Sequence, residues 1–399
     1  MKKCFLYGLL PVVIMNSCSI QESQVEYDAD IRVEMAPEEN VLHFSDIYDR
    51  YECIYLSGSL ISHINDVIVR EDGFIVKGKS DDVAIAFFSR DGKYVCPIVR
   101  IGRGPGELTD IQAMVYNPYT ETLDVLGNIG STVIKYDCKT FKEKASFSIR
   151  DTDIMSARDF CPIDADRYMF YKDYSVLSRQ EYFLYVFNSA SSQIEDTYLP
   201  MDKRLAEMLS FGQRNNLYLK DGTVYFYAAF QKYIYQYVNS EFSGYIEFTP
   251  GKYMALDKLL EKKYNDVIKF VTKVCQPSPY IWAHINVFSY RDMILSSYTY
   301  KNEIYNNVIY VEDGSSHSYK FLEDDMVWGI RTEDLRSMYN LTGTDSRYVV
   351  YIVEPFTLKE EMNRQPYSGT DADIIANRNV LNALPDDANP IILLMEQEK

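Results

Sequence analysis

The chain has 399 residues with 41 basic and 58 acidic side chains, a formal net charge of −17, and 35 Tyr and 20 Phe spread along its length. So acidic a surface repels phosphate backbones and argues against nucleic acid as a partner. Aromatic and β-branched residues favour half-buried pleated surfaces, and no Pro/Ser/Gly linker divides the chain, so the composition points to one large β domain.

Lys2 and Lys3 precede an apolar run, Cys4 to Met15, too short to span a bilayer and readable as a secretory leader. It ends in Met15-Asn16-Ser17-Cys18, which resembles a bacterial lipobox, although Asn16 replaces the usual small residue. Cleavage there would leave Cys18 to carry diacylglycerol, and buried acyl methylenes would tether a domain that has no membrane helix. An ordinary leader with a chance cysteine is the competing reading. The expected organisation is a leader over 1–17, the lipidated Cys18 with a flexible acidic tether over 18–40, and one domain over 41–399. The expected location is the outer membrane of the cell envelope, facing the periplasm or the outside. Cys53, Cys96, Cys138, Cys161 and Cys275 are odd in number and contain no C-x-x-C, so neither a zinc site nor a disulfide framework is implied.

One hairpin pattern then recurs six times: an alternating apolar strand, a turn rich in Asp, Gly or Pro, and a more hydrophobic strand. The copies begin at His63, Asp110, Ala157, Asn215, His284 and Arg336, and their spacing approximates one four-stranded blade each. Asp-Gly turns such as Asp221-Gly222 suit tight hairpins, because glycine accepts positive φ freely. A second type of strand pair follows five of the copies. The missing strands lie at the ends, Tyr51 to Leu56 and Ile391 to Met395, and pairing them closes a ring whose sheet edges would otherwise be bare. The expectation is an all-β, six-bladed propeller of four-stranded antiparallel blades, closed by its terminal strands. Helical inserts are predicted on one face: Leu256 to Val274 by periodicity, Asp371 to about Leu384 by its cap, and shorter turns at 202–211 and 332–339.

Ile101-Gly102-Arg103-Gly104-Pro105-Gly106-Glu107-Leu108 is the most distinctive string. It lacks the Gly-Lys-Ser/Thr of a P-loop and the spacing of a dinucleotide fingerprint. With it the sequence resembles the six-bladed β-propeller lipoproteins of Gram-negative gut-type bacteria, a group similar to NHL and TolB-like propellers. The resemblance implies a fold and export, with this loop joining the first blade to the second. Physically, the glycines allow a sharp turn, and Arg103 and Glu107 either pair to form a rigid clasp or meet a ligand.

His63 and His284 begin inner strands at matching positions, and Arg158, Arg214 and Arg331 fall near equivalent places in other blades. With Arg103, Glu107 and Trp282 they make a candidate ligand-binding set at the channel mouth, with Trp282 available to stack on a sugar or peptide ring. Two histidines on separate blades make no metal site without further ligands, and no catalytic motif stands out, so no cofactor is expected. Two functions remain open: a monomeric envelope binding protein for a glycan, peptide or protein, or a propeller-type hydrolase or lyase acting at the channel mouth.

Overall fold

The computed structural model describes residues 26–79, 83–104, 106–173, 181–201, 216–249, 251–261, 266–332, 339–344 and 347–398. The leader, Cys18, Arg214 and most of the short helices expected at 202–211 and 332–339 lie outside the described residues.

The architecture is an all-β propeller. Blade 1 comprises Ser62–Val69, Gly73–Lys79, Val83–Ser89 and Tyr94–Arg100. Blade 2 comprises Ile111–Asn117, Thr122–Gly127, Thr132–Asp137 and Glu143–Ser148, and blade 3 Asp159–Pro162, Arg167–Tyr171, Tyr182–Asn188 and Gln193–Pro200. Blade 4 comprises Leu217–Lys220, Thr223–Phe226, Tyr233–Val238 and Glu241–Phe248, and blade 5 His284–Tyr290, Met293–Tyr300, Glu303–Tyr310 and Ser316–Tyr319. Within each blade the strands run antiparallel from the innermost, named first, to the rim. Middle strands are buried on both faces because neighbouring blades cover them; Leu123 to Gly127 and Phe183 to Phe187 are continuous buried runs.

There are seven blades, which corrects the expected six. The additional sheet, blade 6, is small: Val41–His43 pairs in parallel with Phe321–Asp324, which pairs antiparallel with Ile330–Thr332. It wedges at the rim between blades 5 and 7, where Leu42, Phe44, Leu322 and Trp328 pack with Tyr290 and Tyr351. Asp324 is wholly buried and accepts the backbone N–H groups of Met326, Val327 and Trp328, which fixes the bend between its last two strands. Strands of three or four residues carry too little alternation to be seen in sequence, and one of these comes from a distant part of the chain.

Blade 7 comprises Tyr339–Thr344, Tyr348–Val353, Ile391–Glu396 and Arg50–Tyr55. Ile391 opposes Tyr55 and Glu396 opposes Arg50, so the two ends of the chain share one sheet. Asn389 secures the join: its amide donates to Leu56 O and Ser59 O, and its carbonyl accepts Ile61 N–H at 2.8 Å. The expected tether is also corrected, because Ala29–Val33 pairs in parallel with the outermost strand of blade 4.

Helices occupy the links on one face. The helix predicted over Leu256–Val274 is interrupted: Leu256–Leu260 and Val267–Phe270 are short α-helices, the second running into a π turn over Val271–Cys275. The helix at 371 is present as Ala372–Ala383, with the Asp371 carboxylate accepting Asp373 and Ile374 N–H. A further helix, Pro355–Arg364, starts with proline in its first turn. Arg378 binds the two longer helices to blade 6 through Trp328 O, Met362 O and Gln365 O. Among the described residues no helix is long and apolar enough to cross a membrane. All five described cysteines are free thiols.

Candidate functional site

The innermost strands set the shape of the axis. Those of blades 2, 3 and 4 pack on one another in series, as do those of blades 5, 7 and 1. At the two remaining junctions a lysine crosses the gap. Lys77, on the second strand of blade 1, donates to Gln112 O of blade 2 at 3.0 Å. Lys220, ending the inner strand of blade 4, donates to Ser289 Oγ of blade 5 at 2.8 Å and to Arg291 O. All three acceptors are backbone or hydroxyl oxygens, so each lysine links its blade to the next through neutral groups.

Between the two arcs lies a cavity of about 1190 Å³, lined by inner-strand residues of blades 1, 2, 3, 4, 5 and 7. Two polar groups stand out within it. Near the start of the inner strands are Asp66, Lys77, Gln112 and Arg158, with an Arg158 N–H donating to Gln112 Oε1 at 3.1 Å. At the hairpin turns that end these strands are Tyr119, Lys220, Asp221, Ser289 and Arg291. Tyr116 and Tyr119 are each 41% exposed. In a chain of net charge −17, the wall thus gathers four cations against Asp66, Asp159 and Asp221.

Local chemistry explains how these groups are held. The Asp221-Gly222 turn has φ of 50° and 76°, the left-handed pair that a two-residue hairpin requires, so Lys220 is fixed one residue before a tight reversal. Burial pushes the Lys220 ammonium below its usual range, while Asp221 and Asp292 pull it back up. Asp159 is buried, and burial raises its carboxyl from 3.8 to about 6 although Leu217 and Phe160 N–H groups bond it, each at 2.9 Å. Its bond to Leu217 ties blade 3 to blade 4. The Tyr218 hydroxyl in the same wall is buried without a partner among the described residues.

Of the residues chosen from sequence, Arg158 lines the cavity. His284 is corrected from a channel ligand to a core residue: it is 1% exposed, stacks on Phe248 at 4.2 Å, and bonds Ser296 Oγ through Nδ1 at 3.2 Å. Burial lowers its imidazole to about 3, so it stays neutral. His63 is exposed in a bulged, left-handed position and does not line the cavity, so the matching sequence positions do not bring the histidines together. Trp282 is likewise core, packed on Phe230 with ring centroids 5.5 Å apart. Arg331 lies on blade 6, its guanidinium 4.3 Å from the Phe321 ring. Arg103 is exposed on the glycine-rich loop, where Glu107 accepts Gly104 N–H at 2.7 Å and so braces the loop's own backbone.

Sequence reasoning missed Lys77, Gln112, Lys220, Arg291, Tyr116 and Tyr119 as site residues. A signal existed in Tyr218-Leu219-Lys220-Asp221-Gly222: a lysine just before a tight turn on an inner strand must end at the axis.

The fold matches that of a Bacteroides fragilis protein described as exported, at 15% identity and a TM-score of 0.69, over 92% of this chain and 99% of that one. The β-propeller domain of Cps50 (Swd1) from Myceliophteria thermophila aligns over 75% of this chain and 95% of its own, with 9% identity and a TM-score of 0.38. A Listeria monocytogenes protein aligns over 76% and 78%, with 9% identity and a TM-score of 0.35. No curated protein matches by sequence. The kinship shown is not the NHL or TolB-like one that the glycine-rich loop suggests: the chain belongs to the family Domain of unknown function (DUF4934), which it matches over residues 29–396.

Proposed function

We propose that the chain is an exported, lipid-anchored binding protein of the cell envelope that takes a polar ligand into the cavity on the propeller axis. The observation that carries this reading is the cavity of about 1190 Å³ and its convergent charged and hydroxyl groups. Small-molecule sites usually occupy roughly 300–1,000 Å³, so this space suits a ligand of several linked units. Its walls are strands braced by neighbouring blades, and such rigid walls hold their polar groups in place before the ligand arrives. Export is supported by the leader-like start and by the fold match to a protein described as exported, and anchoring by Cys18 after Met15-Asn16-Ser17.

The binding role is tested by probing an array of oligosaccharides and peptides with the wild type and with Gln112→Trp, which places an indole in the cavity. The expected result is a ligand retained by the wild type and lost by the variant at unchanged melting temperature. Equal retention by both overturns the assignment of the cavity. Anchoring is tested separately: Cys18→Ala is expected to move the protein from the membrane to the soluble fraction, and a protein that stays with the membrane overturns lipidation at that residue.

A further inference from the structure

We infer that the ligand is an acidic oligosaccharide, its carboxylates read by Arg158 and Arg291 and its sugar faces lying against Tyr116 and Tyr119; this deepens the cavity reading above and rests on it. All four residues line the cavity.

The charges argue for an anion. Two of the three lining acids are already committed: Asp159 has its oxygens on the N–H groups of Phe160 and Leu217, and Asp66 stands directly opposite Lys77 in the strand register. Lys77 and Lys220 are engaged in bridging blades. The two arginines remain. Among the described residues neither is paired with an acid: Arg158 bonds the Gln112 side chain, and Arg291 lies beside the Tyr290 ring at 5.5 Å. A guanidinium offers a planar fork that matches a carboxylate with two parallel bonds. Arg158 precedes the first residue of an inner strand, whereas Arg291 follows the last residue of another, so the forks serve opposite ends of the strands. A ligand that satisfies both carries more than one carboxylate along its length.

The rings argue for a sugar. Tyr116 and Tyr119 leave two-fifths of their surface open at the end of the blade 2 inner strand, although phenol rings in this chain are otherwise mostly packed between blades. A tyrosine ring presents an apolar face and a polar edge together, which fits the C–H face and hydroxyl rim of a pyranose. An acidic peptide shares the charge but has no such flat repeating unit.

Isothermal titration of the full chain with hyaluronan tetrasaccharide and tetragalacturonate, beside neutral chitotetraose and tetraglutamate, tests this. The expected result is binding of an acidic tetrasaccharide, weakened about tenfold by Arg158→Gln and again by Arg291→Gln, weakened by added salt, and reduced by Tyr119→Ala. Neither arginine substitution touches the lysine bridges, and far-UV circular dichroism verifies folding. Binding of neither acidic sugar, equal binding of chitotetraose, or indifference to both arginine variants overturns the inference. If tetraglutamate or chitotetraose binds instead and Gln112→Trp abolishes it, the acidic sugar is wrong while the cavity stands. If an acidic sugar binds Gln112→Trp as well as the wild type, the cavity itself is wrong.

Discussion

Lys220 and Arg291 are joined across a blade boundary: the ammonium of the first donates to the carbonyl oxygen of the second, and to Ser289 Oγ beside it. This is one of the two places where consecutive inner strands do not pack in series, so the bridge stands in for strand contact. Lys220→Met keeps the aliphatic stem and removes the donors, leaving a carbonyl and a hydroxyl partly buried. The expected loss is about 1–2 kcal/mol, measured as a lower urea midpoint with unchanged slope; an unchanged midpoint would show that the junction holds without it.

Asp159 makes stability depend on pH in an unusual direction. Its carboxyl sits at about 6 in the fold against 3.8 as the ordinary value, so between these values the folded chain binds a proton that the unfolded chain does not. Ionisation of this group costs stability above pH 6, and that cost disappears as pH falls toward 4. A two-unit shift corresponds to about 3 kcal/mol. Other carboxylates, such as Asp164 held down by Arg167, act in the opposite sense. The comparison is therefore wild type against Asp159→Asn: the variant's stability relative to the wild type should fall as pH is lowered from about 7.5 to about 5. A constant difference in denaturation midpoints would refute the shift.

Asp324 tests whether blade 6 belongs to the fold or merely rests on it. Three backbone donors converge on this buried carboxylate, and its removal strands them beside Trp328, itself fully buried. Asp324→Ala should cost about 3 kcal/mol or more. Trp282 and Trp328 are the two tryptophans, so the loss should appear in Trp328 fluorescence once Trp282 is replaced by Phe. Loss of that signal well before global unfolding would mean blade 6 opens by itself.

Glu107 should matter to its loop and not to the cavity. Its carboxylate accepts Gly104 N–H, so Glu107→Ala is expected to cost about 1 kcal/mol and to speed amide exchange at Gly104. Ligand binding should be untouched by this change and by Arg103→Ala. A binding defect in either would move the site toward the glycine-rich loop.

Much of the ring was legible because inner hairpins repeat. Alternation, Asp-Gly turns and the orphan strand at each end identified blades 1 to 5 and blade 7, and the Asp371 cap located a helix start. Blade 6 was hidden because it joins three short strands from two distant segments, and parallel pairing of Val41–His43 leaves no local turn to read. The site was harder still. Matching positions suggested that His63 and His284 share an environment, but a bulge in the first strand of blade 1 turns His63 outward, while Phe248 covers His284. Equivalent places in a repeat share a backbone path; what surrounds them depends on insertions between blades.

The strand Ile391–Glu396 lies between Tyr348–Val353, close before it in the chain, and Arg50–Tyr55, near the other end of the domain. Without it, Arg50–Tyr55 has no strand partner in that sheet and the ring of blades is not closed. Ring closure therefore depends on the most widely separated strand pairing in the chain, a kind of contact that forms slowly.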